Sequence, residues 1–305
     1  MKWKTCLAVL LLGSALCLPG SAQLRYFGYH GGADDDLSLG RTRGFTNFAY
    51  IVAPERLASP FVRDRVSAMA RSGLKAIIDL EHVLWCDDEQ GHDALCRDWS
   101  KRWRTWKKTN AGILSRNKVL AFAVLDEPFL SGVDMPDYEW AVRKVKTDFP
   151  WAKVLLVEAA CAVEGRCGAT PVTSFEQYSG TLPGVDWVGL DAYGIHPATD
   201  PLYQSALARL KSRFPDKKRI YVLDGFWEQG HSAVAPDPAD MGPIAREWYD
   251  VGRDDPDAVL LGVFAWGPYP PGTTTSKDLP CNVLLEHIAI GREVTGKLRP
   301  SPACL

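Results

Sequence analysis

The string Leu125-Asp126-Glu127-Pro128 closes an apolar run with two consecutive carboxylates and a proline. Other apolar runs end in the same way. Asp79, Glu81 and His82 follow one, Glu158 another, and Asp191-Ala192-Tyr193 a third. Asp224 closes a further run, with Trp227 and Glu228 just behind it. His30 follows the first run, and Trp266 and Tyr269 follow the last. Acids placed at random would fall equally at both ends of such runs, and these follow them. Two carboxyl groups facing one cavity can perform acid/base or nucleophilic chemistry. Burial and like charge keep the proton on one, while the other stays ionised. Glycosidic-bond hydrolysis requires such a pair, one acid protonating the departing oxygen and the other attacking or activating water.

Glu127 is the candidate general acid. Asp224 or, four residues on, Glu228 is the candidate nucleophile or base. Asp126, Asp191, Tyr193, Trp227, Trp266, His30 and Glu158 are the candidate sugar-binding residues, the rings offering flat apolar faces. Asp191 and Tyr193 share a strand face by the period of two, whereas Asp126 and Glu127 would point apart on an extended strand. A backbone-binding structural role competes at Asp224, and packing at the barrel mouth competes at Trp266. Trp99, Trp103 and Trp106 recur at helical spacing, the signature of a buried helix face.

These residues need a scaffold that gathers strand ends. Eight runs have strand character: 24–29, 46–51, 75–80, 119–125, 153–157, 186–190, 219–223 and 259–265. Most are apolar throughout, as a parallel sheet covered on both faces requires. Amphipathic stretches over 61–72, 135–149, 201–214 and 238–252 alternate with them, and Gly73 and Pro215 stand where two of these should stop. The alternation implies a single-domain (β/α)8 TIM barrel over 23–305, in which catalytic groups stand at the C-terminal strand ends. A doubly wound sheet is the runner-up, but no GxGxxG or Walker string follows an early strand.

At these positions the sequence resembles the large clan of retaining barrel glycosidases that carries Asn-Glu-Pro at strand four. The resemblance implies that Glu127 is the acid/base, with the nucleophile closing strand seven. Asp126 stands where that clan has asparagine, and Asp224 or Glu228 stands where it has glutamate. Asp191 to Tyr193 and Trp266 are similar as well. Chitinase-type barrels also combine strand-four acids, a strand-six tyrosine and a strand-eight tryptophan, but their DxxDxDxE run is missing here.

The formal charge of −2 supplies no basic field for nucleic acid. Lys2 and Lys4 precede an apolar run and the small residues Gly20-Ser21-Ala22, so residues 1–22 read as an export signal. The mature chain is then secreted or periplasmic, monomeric and free of membrane. Six cysteines remain, and loop-closing disulfides Cys86–Cys96, Cys161–Cys167 and Cys281–Cys304 are the simplest pairing. No CxxC, HxH or HExxH spacing occurs, so no metal and no cofactor are expected. A silent glycan- or protein-binding barrel and a metal-dependent hydrolase on the same fold are the competing functions. A serine esterase ranks lower, because Gly230-His231-Ser232-Ala233-Val234 lacks the second glycine of a nucleophile elbow.

Overall fold

The computed structural model describes residues 24–87, 93–167, 174–267 and 272–298. Eight strands form its centre: β1 (Tyr26–His30), β2 (Phe48–Val52), β3 (Lys75–Asp79), β4 (Val119–Ala123), β5 (Lys153–Ala159), β6 (Trp187–Asp191), β7 (Lys218–Asp224) and β8 (Ala258–Phe264). They close into a barrel in which each strand neighbours its sequence neighbours and β1 meets β8. Every pairing is parallel. All C-terminal ends therefore share one rim, and the acids that follow the strands are brought to that rim.

Helices Asp36–Thr42, Phe61–Arg71, Trp99–Thr109, Met135–Asp148, Pro201–Arg213, Met241–Arg253 and Cys281–Thr295 cover the outside. The fifth unit departs from the pattern, since β5 is followed only by the short helix Ala160–Val163 among the described residues. The larger core lies between strands and helices, while Phe48, Ile77, Leu155, Trp187, Ile220 and Leu260 belong to a second core. Strand period explains the division, because alternate side chains face the barrel axis and the helices. Trp103 and Trp106 are buried and stacked at 5.4 Å, as their helical spacing predicts. Gly28 has no substitute, because a Cβ there would lie 2.1 Å from the Phe48 carbonyl oxygen of the adjacent strand.

The eight expected strands all form, with ends moved by one or two residues. β4 stops at Ala123 rather than 125 because the backbone leaves the ladder early. The Val124 carbonyl accepts instead from the Trp85 indole at 2.8 Å. Cys86–Cys96 closes the hairpin of Trp85–Asp87 and Asp93–Leu95, and Cys161–Cys167 closes the turn behind β5. Loops this short imply about 2–3 kcal/mol of stabilisation each in the chain-entropy model. Cys304, Tyr269 and residues 1–22 lie outside the described residues. Among the described residues, no helix is long and apolar enough to cross a membrane.

Candidate active site

A cavity of about 340 Å³ opens at the C-terminal rim. Asp79 and Glu81 reach it from β3, Asp126 and Glu127 from β4, and Asp191 from β6. Each is delivered by the last residues of a strand or by the turn after it. No tight spacing in sequence was needed, because parallel register aligns those ends.

Glu127 has a local geometry unlike its neighbours. Its φ of 41° lies in the left-handed region, where a residue with a Cβ rarely sits. This turn undoes the divergence expected of adjacent strand residues, so Asp126 and Glu127 both line the cavity. The Glu127 amide donates to the Val157 carbonyl at 3.2 Å, and its own carbonyl accepts from Ser131 N–H at 2.8 Å. Its carboxyl group is hydrogen-bonded to Asp191. Burial, then the charges of Asp191 and Asp126, push the Glu127 pKa up to about 9. Asp191 is also raised by burial, against hydrogen bonds from Glu127 and from the Tyr193 hydroxyl, the latter at 3.0 Å. One proton is thus held between two acids from the strands on either side of β5. Asp126 is enclosed by protein yet its side chain is open to the cavity, and burial and Asp79 raise it well above an ordinary aspartate.

Asp79 differs from the other acids in its donors. Tyr50 donates its hydroxyl at 2.6 Å and the Glu81 amide donates at 2.7 Å. Burial raises the Asp79 pKa, and these two donors work to keep it charged. Burial and Asp79 together bring Glu81 to about 7.

One wall of the cavity is aromatic. His30 lies 4.9 Å from Tyr50 and 5.0 Å from Phe264, and Phe264 stacks on Tyr193 at 5.5 Å. Burial lowers the His30 pKa to about 4, so the ring is neutral at physiological pH.

Several candidates stand elsewhere. The buried Asp224 accepts from the Gly194 amide at 2.8 Å and lies 2.9 Å from His231 Nε2, and it does not line the cavity. Glu228 caps the short turn Gln229–Ala233 in front of that pair. Trp227 pairs with Thr274 and donates its indole N–H to the Ala235 carbonyl. Trp266 is buried 4.9 Å from Tyr29, with the Arg41 guanidinium over its ring. Glu158 faces away from the cavity into the turn behind Glu127. The cavity therefore joins Glu127, Asp126, Asp191, Tyr193 and His30 of the expected set, with His82 beside them.

Tyr50, Phe264 and the role of Asp79 were not picked out by sequence reasoning. Each is at or near the last inward position of a strand, two residues after another cavity-lining residue (Phe48, Gly262 and Ile77). Counting by two toward the C-terminal end of each run would have found them. Among the described residues, no group of three or more His, Cys, Asp or Glu side chains is arranged to hold a metal ion.

The architecture is a closed (β/α)8 barrel with an acid-lined C-terminal rim. The chain is similar in structure to an intracellular xylanase from Thermoanaerobacterium saccharolyticum, at 12% identity and a TM-score of 0.55 over 88% of this chain and 99% of that one. It is also similar to a thermostable mutant xylanase from Cellvibrio japonicus, at 11% identity and a TM-score of 0.58 over 89% and 98% of the two chains. A third is a beta-glucanase from Saccharophagus degradans in complex with cellotetraose, at 12% identity and a TM-score of 0.55 over 89% and 88%. At such identity the likeness is one of fold. No protein-family model matches the chain, and no curated protein matches it in sequence.

Proposed function

We propose that the protein is an exported glycoside hydrolase acting on a poly- or oligosaccharide, with Glu127 as its general acid. The carrying observation is the hydrogen bond between Glu127 and Asp191 inside a cavity shared with Asp79 and Asp126. An acid protonated at neutral pH, facing a carboxylate whose charge is favoured by hydrogen-bond donors, is the division of labour that glycoside cleavage requires.

Glu127 gives its proton to the departing glycosidic oxygen as the bond to the anomeric carbon breaks. Asp191 accepts the hydrogen bond of that proton before transfer, and its charge keeps Glu127 protonated until the glycosidic oxygen takes the proton. Asp79 is the partner that the donors favour as an anion. It either attacks the anomeric carbon or accepts a proton from the attacking water, and the stereochemical outcome separates these routes. Asp224 is the alternative partner by strand position, but its oxygens are engaged by His231 and backbone amides. Tyr193, Phe264 and His30 supply the face against which a sugar ring can lie. Export is supported by the two loop disulfides, which persist in oxidising compartments.

The test is a polysaccharide panel assayed with wild type and Glu127→Gln, with NMR of the first anomer released. Cleavage by wild type and its loss in the variant, with sugar binding kept, supports the reading. Binding without cleavage by wild type replaces it with a silent glycan-binding barrel.

A further inference from the structure

We infer that Glu158 is a positioning residue, whose buried carboxyl group grips the turn carrying Glu127 and, once ionised, lays a further negative charge behind it. This rests on the reading of Glu127 as the general acid.

Glu158 closes β5 on the side opposite the cavity and is fully buried. One carboxylate oxygen accepts from the Phe129 amide at 2.8 Å. The other accepts from the Leu130 amide at 3.2 Å and the Ala159 amide at 3.1 Å. Phe129 and Leu130 are the second and third residues after Glu127, so the carboxylate ties β5 to the turn that leaves β4. The Val157 carbonyl, one residue before Glu158, takes the Glu127 amide from the same strand. The left-handed conformation of Glu127 costs about 1–3 kcal/mol and persists only where surroundings impose it. These bonds from β5 are the imposing structure.

The charge matters as much as the grip. Three amide donors favour the ionised carboxylate, while burial pushes the Glu158 pKa up to about 8. Above about pH 8, where Glu158 is ionised, its charge opposes ionisation of Glu127, as Asp191 on β6 and Asp126 beside it also do. The charge of Asp191 also acts on Glu158, and the Tyr138 hydroxyl of helix Met135–Asp148 is a further titratable group that feels the Glu158 charge. Glu158 touches no substrate. It acts through Glu127, fixing where the acid points and helping it keep its proton.

The experiment is ¹³C NMR titration of labelled glutamate side chains, with Glu127 and Glu158 assigned from Glu127→Gln and Glu158→Gln. In Glu158→Gln the Glu127 midpoint should fall by about one pH unit, since a like charge has gone. The alkaline limb of kcat/KM should move down by the same amount with KM nearly unchanged. An unmoved Glu127 midpoint overturns the inference. So does a wild-type Glu158 that stays protonated up to the Glu127 midpoint, a measurement that stands even if the variant fails to fold. A wild type that cleaves no glycan ends the hydrolase reading, but the titration still decides whether Glu158 controls Glu127.

Discussion

The Tyr50 hydroxyl lies 2.6 Å from the Asp79 carboxylate, and the two residues project from adjacent strands at the same rim. Asp79 is buried, so its charge depends on this donor and on the Glu81 amide. Tyr50→Phe removes one of the two. A hydrogen bond to a charged group contributes about 1.5–3 kcal/mol, so kcat should fall roughly 10- to 100-fold. Steady-state kinetics beside a thermal melt checks this, and a large loss of stability with unchanged kcat would count against Asp79 as the working anion.

The Glu127 pKa near 9 sets a pH dependence whose sign is definite. As a general acid it works while protonated, so activity should fall as pH rises through about 9. Stability runs the same way. A carboxyl group raised in the folded state contributes fully below its unfolded value of about 4.5, and that contribution is lost as pH climbs toward the folded one. Glu127→Gln should therefore melt a few degrees above wild type at pH 8, and the two should melt together at pH 4. Equal melting at both pH values would show that Glu127 titrates normally.

Asp224 and His231 form a buried pair that does not line the acid cavity. Burial works against the His231 cation, but the Asp224 carboxylate overrides it and the histidine pKa is raised. His231→Ala leaves a buried carboxylate unpaired, at a cost of about 3–5 kcal/mol, or roughly 10 °C in Tm. For a raised histidine the stabilisation is full below about pH 6.5 and is lost as pH rises through the folded-state value. Melting curves of both proteins across pH 6 to 9 should show the gap narrowing.

Phe264 and Trp266 are two residues apart and do different things. Phe264 lines the cavity, whereas Trp266 is packed in the core against Tyr29. Phe264→Ala should raise KM about tenfold with little change in Tm, through lost contact with the sugar face. Trp266→Ala should lower stability by about 3–5 kcal/mol while KM in the surviving folded protein stays close to wild type. Reversed outcomes would return Trp266 to the binding surface.

The barrel was legible because its evidence is periodic. Eight apolar runs, each long enough for a buried parallel strand, leave few other topologies. Glu127, Asp126, Asp191, Tyr193 and His30 were legible for a related reason, since strand ends dictate the rim. Position along a strand does not say which way a side chain faces after the strand has ended. Asp224 follows β7 as Asp191 follows β6, yet it turns to His231, a partner seven residues away in a short irregular turn. Glu158 was misplaced by one residue of phase, with Val157 facing the cavity and its neighbour facing outward. The left-handed turn at Glu127 had no sequence signal, because its conformation is set by tertiary bonds from β5.

The cavity wall contains five acids and neither lysine nor arginine among the residues that line it. A glycan carrying sulfate or uronate groups would bring like charge into a confined, weakly screened space, where repulsion is strong. For the hydrolase proposed above, neutral or amine-bearing sugars are the expected substrates, and the acids that remain ionised are what would set that electrical preference.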